Sequence, residues 1–111
     1  MAISKILTLG FQSAAADTIE IMYTSPAGGL GTDIEALTVA NDTTTNQDYK
    51  VYLYDSVGTG VGVMQPLTTI VRDRFSSAPG VINHTVPAGG TVRVESSSIA
   101  GLKFTLTGIE Q

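Results

Sequence analysis

Apolar and polar residues alternate with a period of two along much of this chain, most clearly in its last third. Three runs carry the pattern there: Val81-Ile82-Asn83-His84-Thr85-Val86, Thr91-Val92-Arg93-Val94-Glu95 and Leu102-Lys103-Phe104-Thr105-Leu106-Thr107-Gly108-Ile109. Successive side chains of an extended chain point to opposite faces, so this period predicts half-buried strands. Between the first two runs stands Pro87-Ala88-Gly89-Gly90. Proline fixes one φ and glycine frees the next, which is what a tight turn needs.

Upstream, the same reading predicts a strand over Ile3 to Phe11, with Ile3, Leu7, Leu9 and Phe11 on one face. A second runs from Thr18 to Thr24, with Ile19, Ile21 and Tyr23 together, and a third from Ile34 to Ala40, with Leu37 and Val39 inward. Tyr49 to Asp55 reads as a central strand, Val51 and Leu53 facing one side and Lys50, Tyr52 and Tyr54 the other. Val57 to Met64, with glycine at alternate positions, reads as a hairpin or surface loop. Pro66 to Phe75 carries two signals. Leu67, Ile70, Val71, Arg74 and Phe75 have helical spacing, whereas Thr68, Thr69 and Val71 prefer extended structure, and strand is the favoured reading. Pro-Ala-Gly-Gly also occurs at Pro26 to Gly29, with unmatched flanks, which makes it repeated turn chemistry and not a duplicated half.

Strands separated by turns every ~8–12 residues predict an all-β fold. The expectation is a single antiparallel β-sandwich, immunoglobulin-like or jelly-roll-like, of about seven or eight short strands. All 111 residues form one domain in this reading, with residues 1–11 an N-terminal arm or edge strand. The inward members of the runs define an expected core: Ile19, Ile21, Leu37, Val39, Val51, Leu53, Val92, Val94, Phe104 and Leu106.

Composition narrows the chemistry. Charged residues make up 14% of the chain, against roughly 25% in an average domain, and Thr, Ser, Gly and Val take their place. With no cysteine, disulfides and thiolate metal sites are excluded. A net charge of −4 and six scattered basic residues argue against nucleic acid as a partner. No apolar run reaches the roughly 18 residues of a membrane-spanning helix, and the start of the chain, broken by Ser4, Lys5 and Thr8, reads as a strand or arm before it reads as a signal peptide. The glycines of Val57 to Val63 lack the lysine and spacing of a phosphate loop. His84 is the only histidine and has no acidic neighbour in sequence, and the aspartates do not form a calcium-loop spacing. No catalytic, metal or cofactor residue is therefore expected, and no enzymatic activity.

The candidates that remain are surfaces. Tyr52 and Tyr54 give one strand face a semi-apolar character, explained equally by cover from a loop of the same chain or by a protein partner. The N-terminal segment, with Ile3, Ile6 and Leu7, could add a strand to a neighbour.

Val86-Pro87-Ala88-Gly89-Gly90-Thr91-Val92 and the ending Ala100-Gly101-Leu102-Lys103-Phe104-Thr105-Leu106-Thr107-Gly108-Ile109-Glu110 resemble small virion proteins of tailed bacteriophages. Ala36 to Asn41 followed by Tyr49 to Tyr54 is similar to their central hairpin, so the resemblance spans Ile34 to the C-terminus. Ser96 to Ala100 departs from it, being shorter than the second turn-and-strand unit of those proteins. The resemblance implies a β-sandwich subunit of a phage particle, above all a capsid decoration (cement) protein. It implies a homo-oligomer, a trimer in that class, made in the host cytoplasm and located in the virion on the major capsid protein or other virion subunits. A neck, tail or fibre-base component is the alternative within the class. A carbohydrate or host-surface binding module is the alternative outside it, weakened by the lack of tryptophan.

Overall fold

A computed structural model describes residues 3–72 and 74–111, with 61–64 described by their backbone alone. Nine strands are present among the described residues: β1 (Lys5–Phe11), β2 (Ile19–Thr24), β3 (Thr32–Asn41), β4 (Gln47–Tyr54), β5 (Gly60–Ile70), β6 (Arg74–Ser77), β7 (Thr85–Val86), β8 (Thr91–Ser96) and β9 (Lys103–Glu110). One 3-10 turn, Pro79–Val81, is the only helical element among them. The strands form two sheets, one in the order β1-β9-β3-β6 with β7 also beside β3, the other β2-β8-β4-β5. Every pairing is antiparallel.

The pairings are nested. β1 meets β9, β2 meets β8, β3 meets β6 and β7, and β4 meets β5, as if one long hairpin had been rolled over itself. This is the jelly-roll arrangement, the second of the two sandwich types expected. At the centre of the roll, Asp55 accepts the backbone N–H groups of Val57 and Thr59 on Oδ1, at 3.1 and 2.8 Å. That side chain closes the β4–β5 turn tightly, so the glycine-rich stretch is a turn followed at once by strand.

Within the Pro66 to Phe75 stretch, Pro66 to Ile70 and Arg74 to Phe75 are extended, the first as its threonines prefer. β5 ends at Ile70 in one sheet and β6 begins at Arg74 in the other, so the break carries the chain across the sandwich. Val81 to Val86 departs from the expected strand. Pro79 opens the 3-10 turn, Asn83 takes a φ of 70°, and only Thr85 and Val86 pair as strand. Asparagine tolerates that left-handed backbone better than most residues. The segment still bonds β3, through Asn83 N–H to the Ile34 carbonyl (2.8 Å) and Ile34 N–H to the His84 carbonyl (2.9 Å). Both Pro-Ala-Gly-Gly segments are turns: Gly29 N–H donates to the Pro26 carbonyl and Gly90 N–H to that of Pro87. Gly89, at φ 76°, occupies the backbone region that glycine enters without strain.

Leu37, Val39, Val51, Leu53, Val92, Val94, Phe104 and Leu106 are buried, as their alternation requires. Ile19 and Ile21 are not: both are exposed, and the adjacent pair Met22 and Tyr23 is buried in their place. The cause is a bulge. Ile21 pairs with Arg93 and Tyr23 with Val92, so two residues of β2 oppose one of β8 and the face inverts. β1 behaves alike, with register shifts between Ile6 and Thr8 and between Thr8 and Phe11. Its expected face is split: Leu7 and Phe11 pack against the core while Ile3 and Leu9 are exposed.

Candidate interaction surface

The outer face of the second sheet holds the two tyrosines. β4 alternates strictly in burial, so Lys50, Tyr52 and Tyr54 point away from the core. Register places Lys50 opposite Glu95 and Tyr52 opposite Arg93 on β8. The Tyr52 hydroxyl donates to Glu95 Oε1 at 2.7 Å, and the Arg93 guanidinium lies 3.9 Å from the centre of the Tyr54 ring. Partial burial, followed by the neighbouring Glu95 carboxylate, pushes the Tyr52 hydroxyl up to about 12. Both tyrosines are half-buried and held sideways by charged neighbours of the same sheet. An anchored aromatic loses little freedom when a partner arrives, which favours contact.

The N-terminal segment is not a loose arm over the described residues 5–11. β1 is hydrogen-bonded to β9 and forms an edge of its own sheet. Lys5 fixes it further by an ion pair of 2.5 Å with Glu110, whose other oxygen accepts the Tyr23 hydroxyl at 2.5 Å. The same hydroxyl lies 2.9 Å from Thr32 Oγ1, and Ser25 Oγ lies 2.7 Å from that atom. Lys5 and the Tyr23 hydroxyl hold the Glu110 carboxyl below the usual carboxylate range. Burial, then Glu110, pushes Tyr23 up to about 12. Four strands are joined at this point. Of the three contact residues expected in the segment, Ile3 and Ile6 are exposed, whereas Leu7 packs inward and is unavailable to a partner.

The structure does not bring Ile3 and Ile6 together with Tyr52 and Tyr54, which belong to inner strand β4 of the opposite sheet. It gathers a different set. The sandwich is open on two sides, one bounded by β1 and β2, the other by β5 and β6. Leu9, Ile19 and Ile21 join Ile6 on the first. Leu67, Val71 and Phe75 stand on the second. The adjacent apolar pair Met22-Tyr23 is the sequence signal of the bulge that turned Ile19 and Ile21 outward.

Two shallow clefts accompany these features. One, of about 250 Å³, is lined by Asp17, Asp48, Lys50, Leu67 and Glu95 among others. Asp48 accepts the Thr69 hydroxyl at 2.6 Å and Glu95 that of Tyr52, so two of its carboxylates are already engaged. The other, of about 260 Å³, is lined by Ala40, Asn41, Asp42, Arg74 and Phe75. There the Asn41 amide group is committed to the carbonyls of Thr45 and Ile70, and Asp42 to Lys103. Lys103 also holds the Asp42 carboxyl low. Among the described residues no group of three or more His, Asp or Glu side chains could hold a metal ion, and His84 is exposed. No helix among them is long and apolar enough to cross a membrane. No protein-family model matches the chain, and no curated protein matches it significantly.

Proposed function

We propose that the chain is a structural virion subunit of a tailed phage, a capsid decoration protein that reinforces the head lattice. The observation that carries this reading is the resemblance of the Val86–Val92 turn and the Ala100–Glu110 ending to such proteins. Its implied setting is the virion, after synthesis in the host cytoplasm, with the major capsid protein as partner and a trimer as the working form. No catalytic group or cofactor has a part in this reading.

Two features of the molecule support it. The nested pairing sets the first and last strands, β1 and β9, side by side in the first sheet, where the Lys5–Glu110–Tyr23 cluster ties them to β2. Exposed apolar side chains concentrate on the two open sides of the sandwich, where subunits could meet. Weak contacts at each copy add up when several neighbours are engaged together. Jelly rolls serve both capsid and lectin domains, so the fold alone does not separate the two classes. The aromatic cleft at Phe75 is the place a sugar would stack, yet Asn41 and Asp42 spend their polar groups within the chain.

The test is cosedimentation of the purified chain with heads and, separately, with tails of the phage whose genome encodes it. Saturable binding to heads is expected. Binding to tails alone favours the neck, tail or fibre-base alternative, and capture by glycans with no particle binding favours the host-surface module.

A further inference from the structure

We propose that copies of this chain associate head to tail, the β1/β2 side of one copy packing against the β5/β6 side of the next. The seam gives a geometry to the oligomer in the reading above and rests on that part of it. The strand orders define the two sides. Each sheet is an antiparallel path of four strands, β1-β9-β3-β6 and β2-β8-β4-β5. Four is an even number, so the first and last strands of each path run in opposite directions. A second copy set beside the first without inversion therefore places its β6 antiparallel to β1 and its β5 antiparallel to β2. Both sheets continue across the boundary in the sense they already have.

Side chains match the two sides. Ile6 is paired with Thr107 and so lies on the outer face of the first sheet, and Leu9 is 75% exposed on the same strand. Phe75, 77% exposed, pairs with Ala40 on the outer face of that sheet at its opposite edge. In the second sheet Ile19 and Ile21 are exposed on β2 and Leu67 on β5, again at opposite edges. Translation across the strands brings Leu9 towards Phe75 and Ile19, level with Leu67 through Glu95 and Lys50, towards Leu67, the cross-strand apolar pairing that stabilises sheets.

Charge agrees. Glu20 lies on β2, and Glu35 accepts the Ser4 hydroxyl beside β1, whereas Arg72 and Arg74 flank the start of β6. Asp73, between those arginines, lies outside the described residues. The bulges of β1 and β2 and Pro66 in β5 leave only short runs of backbone for pairing, so the side chains carry the contact. A contact between two different surfaces of one chain generates a ring, or a filament if rotation does not close it. That excludes an isologous dimer built on one side alone.

Complementary variants test the seam. Leu9→Lys disables the β1/β2 side and Phe75→Lys the β5/β6 side, and both residues are exposed enough for the fold to persist, checked by unchanged melting temperatures. Sedimentation at concentrations up to about 1 mM, the weak end of association, reads the result. Wild type should self-associate, each variant alone should fall to monomer, and a mixture of the two should form a 1:1 complex through the one intact pair of sides. A monomeric wild type, a variant that still self-associates, or a mixture that stays monomeric would each overturn the proposal. A chain that pellets with heads but never self-associates removes the seam and leaves the virion reading standing. A chain that builds the seam and ignores heads does the reverse.

Discussion

The inner pair β4–β8 and the outer strands β1 and β2 draw on the same residue types, yet their side chains follow different rules. β4 and β8 are joined by six consecutive rungs, from Tyr49–Ser96 to Tyr54–Thr91, without a register shift. β2 shifts once against β8, and β1 shifts twice against β9. An inner strand is bonded on both sides, so an inserted residue disturbs two ladders. An edge strand is bonded on one side, so a bulge there disturbs one ladder only, and bulges are over-represented at sheet edges. Alternation is thus a reliable guide to burial where the ladder is unbroken, as between β4 and β8, and inverts at a bulge, as in β1, β2 and at Ile34 to Ala36 of inner strand β3. The inversions place Leu9, Ile19 and Ile21 outside on the β1/β2 side.

The largest effect should come from the shared centre. Phe104 packs 6.4 Å from Phe11 of β1 and 5.8 Å, edge to face, from Tyr49 of β4. Phe104→Ala should cost about 3–5 kcal/mol in denaturant unfolding, a large part of a stability of about 5–15 kcal/mol. A loss below about 1 kcal/mol there would mean that the centre is loosely packed.

Next is a point where three strands of the first sheet leave no room for a side chain. Gly108 of β9 stands between Lys5 and Ile34, and a Cβ there would fall against the Asp33 carbonyl oxygen and Leu7 Cδ1. Gly108→Ala should cost about 1–3 kcal/mol through overpacking. No measurable cost would show that β3 can draw back from β9 at Asp33.

The clamp that fixes it predicts a pH dependence. Tyr23 is raised from 10.0 to about 12, so the unfolded chain loses this proton first as pH rises. The contribution is complete below pH 10 and is lost between 10 and about 12, a window in which Tyr52 acts in the same direction. Tyr23→Phe should flatten that alkaline loss in a series of unfolding curves. An unchanged slope would remove Tyr23 as its source. The smallest effect is expected on the outer side: Ile19→Thr should change stability by less than about 0.5 kcal/mol, as exposed positions do.

Much of the fold was legible because long stretches of the inner ladders keep register, Tyr49 to Tyr54 against β8 and Ala36 to Ala40 against β9. Leu37, Val39, Val51, Leu53, Val92, Val94, Phe104 and Leu106 are buried where a period of two puts them. Asn83 and Pro79 broke the expected strand at Val81 to Val86 through backbone preferences that outweigh a short apolar pattern. The nested order of the strands follows from long-range pairing such as β1 with β9, which no local window contains. Of the surface, Tyr52 and Tyr54 could be read from one strand alone. The apolar sides could not, because Phe75 and Leu9 become related only when the roll sets their strands at opposite edges.

One pair of variants tests the inversion at the margin most directly. Met22 and Ile21 are neighbours on β2, the first buried and the second exposed, although simple alternation with Tyr23 assigns them the other way. Equilibrium unfolding of Met22→Ala should show a loss of about 2–5 kcal/mol. Ile21→Ala should stay within about 0.5 kcal/mol of wild type. Equal losses, or a larger loss at Ile21, would contradict the bulge and with it the apolar β1/β2 side.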